Sequence, residues 1–100
     1  MDKAIFFFYQ WSGVHYKKLL QHDRKKQVSD MRYMLWYFLH SECSFTVQSI
    51  AKNFNRHIDT VFKGLAEFKA RLNIYHEISD MYDEFIQVWR NKNSAPPNND

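Results

Sequence analysis

Glycine and proline are scarce in this chain: two of each, with both prolines in the C-terminal tail. That scarcity argues against a β-rich fold with many tight turns and in favour of helices. A single cysteine, Cys43, excludes an internal disulfide and a cysteine-rich zinc site. It fits a reducing, cytoplasmic setting. No hydrophobic run is long enough to span a bilayer, so no membrane partner is expected. The opening MDKAIFFFYQW has the apolar character of a secretory h-region. It is too short for one, carries Asp2 and offers no small-residue cleavage site before Lys17. A G-x-x-x-x-G-K-[ST] loop is also missing, so no nucleotide cofactor is expected and none of another kind is indicated.

What the chain does have is aromatic bulk. Nine Phe, six Tyr and three Trp among 100 residues can build one core without staples. The net charge of +3 is modest, but its distribution is uneven. Residues 14–36 hold six Lys/Arg and two Asp, and residues 45–72 hold five Lys/Arg against Asp59 and Glu67. Residues 73–89 hold four acids and no Lys/Arg. A polyanion-binding face is built this way, with the last helix on the far side. Ordinary solvated helix faces are the alternative source of such a pattern.

Hydrophobic periodicity predicts an all-α domain over residues 1–91. A first helix spans 3–11 and stops at Ser12-Gly13, where glycine suits a helix C-terminus. Residues 14–20 form a short helical turn, with Val14, Tyr16, Leu19 and Leu20 inward. Gln21 to Gln27, QHDRKKQ, is polar and non-periodic and is read as a basic loop. Ser29 or Asp30 caps a helix to about Ser41, where Met31, Met34, Leu35, Phe38 and Leu39 form a buried stripe. Thr46 caps a short helix with Val47, Ile50, Ala51 and Phe54 inward. A long helix from Arg56 to Leu72 places Ile58, Val61, Phe62, Leu65, Phe68 and Leu72 inside. A last helix, 74–89, buries Ile78, Met81, Tyr82, Phe85, Ile86 and Trp89. Residues 92–100 form a polar tail expected to be disordered.

No enzyme chemistry is indicated. His15, His22, His40, His57 and His76 are scattered, and none forms an H-E-x-x-H metal motif. His40, Glu42 and Cys43 fall together at a helix end, but a catalytic cysteine needs a positioned base and a pocket.

The stretch SFTVQSIAKNF–NRHIDTVFKGL carries the most information. Two apolar-periodic helices separated by a very short turn suggest a helix-turn-helix, whose second helix lies in the major groove with its N-terminal residues at base edges. Arg56, His57, Asp59, Thr60 and Lys63 then lie outward and toward the leading end. Arg56 can pair with phosphate or guanine, Thr60 with a base edge or a thymine methyl, and Asp59 with cytosine N4. Asp59 equally suits the first helical turn as a complement to the helix dipole.

These residues, in this order, resemble the C-terminal DNA-binding domain of the bacterial replication initiator DnaA. That family has a basic loop, a long helix opening with Arg, a short helix, and then R-D-[HA]-[ST]-T-V. Here Leu19-Leu20 precede the loop, Arg32 lies near the start of the long helix, and Ile50-Ala51-x-x-Phe54 stands where the family has I-G-x-x-F. Arg56-His57-Ile58-Asp59-Thr60-Val61 follow, and Gly64 falls at a small-residue position. The likeness spans roughly Ala4 to Arg90. It implies a small all-α, Trp-repressor-like helix-turn-helix domain that binds double-stranded DNA in replication or its regulation. By position it implies that Arg24 enters the minor groove, that Arg32 and Arg56 hold phosphate, and that Thr60 contacts the major groove. Lys25, Lys26, Lys52 and Lys63 add phosphate contacts on charge and position alone.

Three signature positions differ: His57 replaces Asp, Ile58 replaces His, and Asp59 replaces the first Thr. The turn is also one position shorter. Each lost base-specific pair removes about 1–3 kcal/mol of discrimination. Altered or relaxed sequence specificity is therefore expected. With no G-x-x-x-x-G-K-[ST] loop in its 100 residues, the chain is not expected to act by itself as an ATP-driven initiator.

Two other functions use the same fold: a transcriptional or mobile-element regulator, and a protein-interaction module that has lost DNA. The latter expects an exposed aromatic surface for a partner or a second copy, made of Phe7, Tyr9, Trp11, Tyr33, Trp36 and Tyr37.

Overall fold

The computed structural model describes residues 1–13 and 26–93. Among them are five helices and no strand: α1 (Asp2–Ser12), α2 (Lys26–Ser41), α3 (Val47–Asn53), α4 (Ile58–Ile74) and α5 (His76–Asn93). The all-α expectation therefore holds for these residues. The expected turn at 14–20 and most of the basic loop lie outside the described residues.

Local chemistry sets most of the boundaries. Gly13 ends α1 in the left-handed region, φ 76°, and its N–H donates to the Tyr9 carbonyl at 2.8 Å. Glycine takes this conformation without a Cβ penalty. Helix α2 starts at Lys26, earlier than the Ser29/Asp30 cap expected from sequence, so the last two residues of the expected loop are helical. Its end is turned by Ser44, φ 63°, and the Phe45 N–H donates to the Leu39 carbonyl at 3.0 Å. Helix α4 runs to Ile74, and Tyr75 alone separates it from α5. The break expected at Asn73 is thus two residues late. Helix α5 continues through Asn93, beyond the tail boundary expected at residue 92. There the Asn93 side chain donates to the Trp89 carbonyl at 2.8 Å, and the Lys92 ammonium sits 5.5 Å from the centre of the Phe7 ring.

Helix α2 is the central element, packed on α1, α3 and α4, while α4 also packs on α3 and α5. Its stripe is buried as expected at Met34, Leu35, Phe38 and Leu39. Rings hold the helices together. Phe85 of α5 lies 4.7 Å from Phe38, 4.8 Å from Trp11, 5.4 Å from Phe8 and 5.6 Å from Phe7. Tyr37, Phe68 and Tyr82 form a triangle of rings 5.3–5.5 Å apart that joins α2, α4 and α5.

None of the six aromatics expected at a partner surface is fully exposed. Phe7 and Trp36 are buried, and Tyr9, Trp11, Tyr33 and Tyr37 are half-buried. Phe7, Trp11, Trp36 and Tyr37 are taken up by ring contacts between helices, whereas Tyr9 meets Phe6 and Tyr33 meets Trp36 on their own helices.

Two arginines, Arg71 and Arg90, tie helix ends together. Arg71 of α4 pairs with Asp30 of α2 and, 3.9 Å away, with Glu67. Arg90 of α5 donates twice to Glu42, just past α2, at 2.8 and 2.9 Å. The Arg90 hydrogen bond holds the Glu42 carboxyl below its ordinary range, against a weaker opposing effect of burial. A carboxyl whose folded pKa is depressed adds stability above its unfolded pKa, and that stability is lost as pH falls through the folded value. Wild type should therefore lose more thermal stability than Glu42→Gln between about pH 6 and about pH 3. Equal losses in a pair of calorimetric scans would remove this role from the pair.

Candidate nucleic-acid interface

The site is built from the residues that join α3 to α4. Thr46 caps α3: its Oγ1 accepts from the Ser49 N–H at 3.1 Å, and Ser49 Oγ donates back to the Thr46 carbonyl at 2.9 Å. At the other end Asn55 adopts the left-handed conformation, φ 53°. The Arg56 N–H then reaches the Ala51 carbonyl at 2.9 Å, and the Asn55 N–H reaches Lys52 at 3.3 Å. These paired bonds are a Schellman ending, with asparagine where glycine is more usual. They satisfy carbonyls at the end of α3, and four residues, 54–57, link it to α4.

His57 caps α4. Its Nδ1 accepts the Asp59 N–H at 3.1 Å, and its carbonyl accepts from Thr60 at 3.0 Å and Val61 at 3.3 Å. An accepting Nδ1 in a neutral ring puts the proton on Nε2. The ring is 72% exposed, so Nε2–H is a donor at the leading end of the helix. The Asp59 carboxylate lies 3.6 Å from Nδ1 and is 84% exposed. Helix α4 thus begins at Ile58 rather than Arg56, and Arg56 lies in the turn.

The candidate residues are not equally placed. His57, Asp59, Lys63 and Lys52 are exposed around the α3–α4 junction, and Thr60 is half-buried beside them. Arg56 is half-buried, and burial lowers its pKa, with Tyr33 opposing that shift. Arg32 is only 3% exposed. The phosphate contact implied for it requires a side-chain position other than the observed one. Arg24 and Lys25 lie outside the described residues, and Lys26 is the first residue of α2.

Phe62 was the residue that hydrophobicity misplaced. Expected inside, it is 54% exposed. The inward stripe of α4 is Val61, Gly64, Leu65 and Phe68, with Val61, Gly64 and Phe68 fully buried. Phe62 falls one position, about 100°, away from Val61 on the helix wheel. The outward positions recur as 59, 62, 63, 66, 69, 70 and 73.

Elsewhere, burial and the Glu42 charge push the Cys43 thiol up to about 11. Such an environment is the reverse of one that activates a nucleophilic cysteine. Among the described residues no group of three or more His, Cys, Asp or Glu is placed to hold a metal ion, and no helix is long and apolar enough to cross a membrane. No protein-family model matches the chain, and no curated protein matches it. The likeness to the initiator domain therefore rests on the residues themselves.

Proposed function

We propose that this chain binds double-stranded DNA, with α3 and α4 acting as a helix-turn-helix and the leading end of α4 entering the major groove. The observation that carries this reading is the α3–α4 junction. A capped short helix, a four-residue turn and a capped long helix leave His57, Asp59, Lys63 and Lys52 exposed about the junction, with Thr60 half-buried. A rigid turn is what base reading requires, because the side chains must arrive in a fixed register. The likeness to the DnaA C-terminal domain supports the same reading and suggests work in replication or its regulation. The departures at His57, Ile58 and Asp59 imply altered or relaxed specificity. The basic loop with Arg24 and Lys25 would reach along the neighbouring backbone or into the minor groove. The rival reading, a partner-binding module, is weakened because the aromatics that recommended it are buried or half-buried.

Anisotropy binding to a randomised duplex pool at about 50 and about 200 mM salt tests this. If about five phosphates are neutralised, log K falls against log salt with slope about −4.5. Lys52→Ala and Lys63→Ala should each reduce that slope by about 1, across all sequences. Both lysines are exposed, so neither variant disturbs the core. Asp59→Ala or Thr60→Ala should instead change which sequences the pool yields. Absence of binding at the lower salt would overturn the proposal.

A further inference from the structure

The outward stripe of α4 is not simply basic. Phe62 stands on it with more than half of its surface exposed, followed one turn later by Ala66 and then by Ala70. Lys63 and Lys69 flank these apolar positions on the same exposed face. Of the acids nearby, Glu67 is half-buried and close to Arg71, which leaves Asp59 at the leading end. An exposed phenylalanine loses contact with water only when something apolar covers it. Lysines at its sides favour a covering surface whose anionic groups lie outermost and whose apolar groups lie between them. The major groove has that layout: phosphates on both rims and thymine C5-methyl groups on its floor. Alanines at 66 and 70 keep the helix narrow enough to sit close to that floor.

We infer that Phe62 is a specificity-determining residue that reads thymine methyl groups, and that the chain consequently prefers thymine at the step it covers. This inference rests on the DNA-binding reading above. Phenylalanine, like alanine and the threonine methyl, recognises thymine by apolar contact alone. The exposed Ala66 lies about one turn further along the same face, whereas the half-buried Thr60, two positions before Phe62, points to another side of the helix.

The test begins with a duplex selected by the wild-type protein from a randomised pool. Its thymidines are then replaced one at a time by deoxyuridine, which removes the methyl and leaves pairing intact. Wild type should lose about fourfold in affinity at each methyl that Phe62 covers. Phe62→Ala, which leaves the core untouched and should keep full helical content by circular dichroism, should bind the thymine duplex more weakly by a similar factor. It should then be indifferent to deoxyuridine at that position. Duplex binding that ignores deoxyuridine would overturn the inference and leave the DNA reading standing. A Phe62→Ala protein that remains methyl-sensitive would also overturn it, moving the contact to Thr60 or Ala66. No duplex binding by wild type, even at low salt, would overturn both.

Discussion

Replacing Phe85 by alanine is expected to lower the unfolding free energy by about 3–5 kcal/mol. The ring is fully buried, and the rings it meets come from three helices: Phe7, Phe8 and Trp11 of α1, Phe38 of α2, and Tyr82 one turn before it on α5. Partial collapse cannot refill the space. Phe7 and Phe38 are each held a second time, by Trp89 at 5.1 and 5.0 Å, so moving either ring inward breaks another contact. A domain of this size has about 5–15 kcal/mol in all. The midpoint should therefore fall by about 12 °C or more, at about 4–8 °C per kcal/mol. Val88→Ala, three residues along at a 42% exposed position, should change stability by less than about 0.5 kcal/mol. Thermal and urea melts of the two variants make the comparison. A loss below about 1 kcal/mol at Phe85 would mean that α1 and α5 do not share a core.

Phe85 belongs to the part of this fold that was legible in sequence. So do Met34, Leu35, Phe38 and Leu39, the Thr46 cap and the Gly13 stop. Each follows from a period or a local hydrogen bond that neighbouring residues specify by themselves. Trp36 is different. It lies off the main stripe of α2, yet it is fully buried, between Tyr33 at 5.6 Å and Phe54 at 5.9 Å. A helical period identifies one apolar face, not the number of neighbours that close around the helix. With α1, α3 and α4 all packed on α2, the buried arc is wider than one stripe. The same enclosure takes in Arg32, a residue type seldom buried, which sequence likeness alone placed at a phosphate. The converse error is Phe62, an apolar side chain adjacent to the inward stripe of α4 that points away from it. At the candidate interface the residue types and their order were readable. The relative exposure of Arg56, Thr60 and Lys63 was not, because it depends on how α4 is rolled against α2.

Helix α4 meets α2 closely at Gly64, and Gly64→Ala is expected to destabilise the protein by about 1–3 kcal/mol. On propensity alone the change should help, since glycine in a helix interior is about 0.8–1.0 kcal/mol worse than alanine. Here the added Cβ would lie 2.6 Å from Cδ1 of Tyr33 and 2.8 Å from Cε3 of Trp36. Tyr33 is half-buried and can yield, but Trp36 has no exposed surface and is wedged against Phe54, the residue that closes α3. Relief must come from α4 moving off α2 or from Trp36 pressing on Phe54. Either displacement reaches the Asn55–His57 turn that aims the leading end of α4. If α4 enters the major groove as proposed, Gly64→Ala should weaken duplex binding as well as stability, although it adds no charge and touches no phosphate. Making room should reverse the effect: in a double-mutant cycle with Trp36→Leu, the two changes should couple favourably by about 0.5–3 kcal/mol. If Gly64→Ala instead stabilises the protein, the α2–α4 approach is looser than the one described, and the glycine is not what sets it.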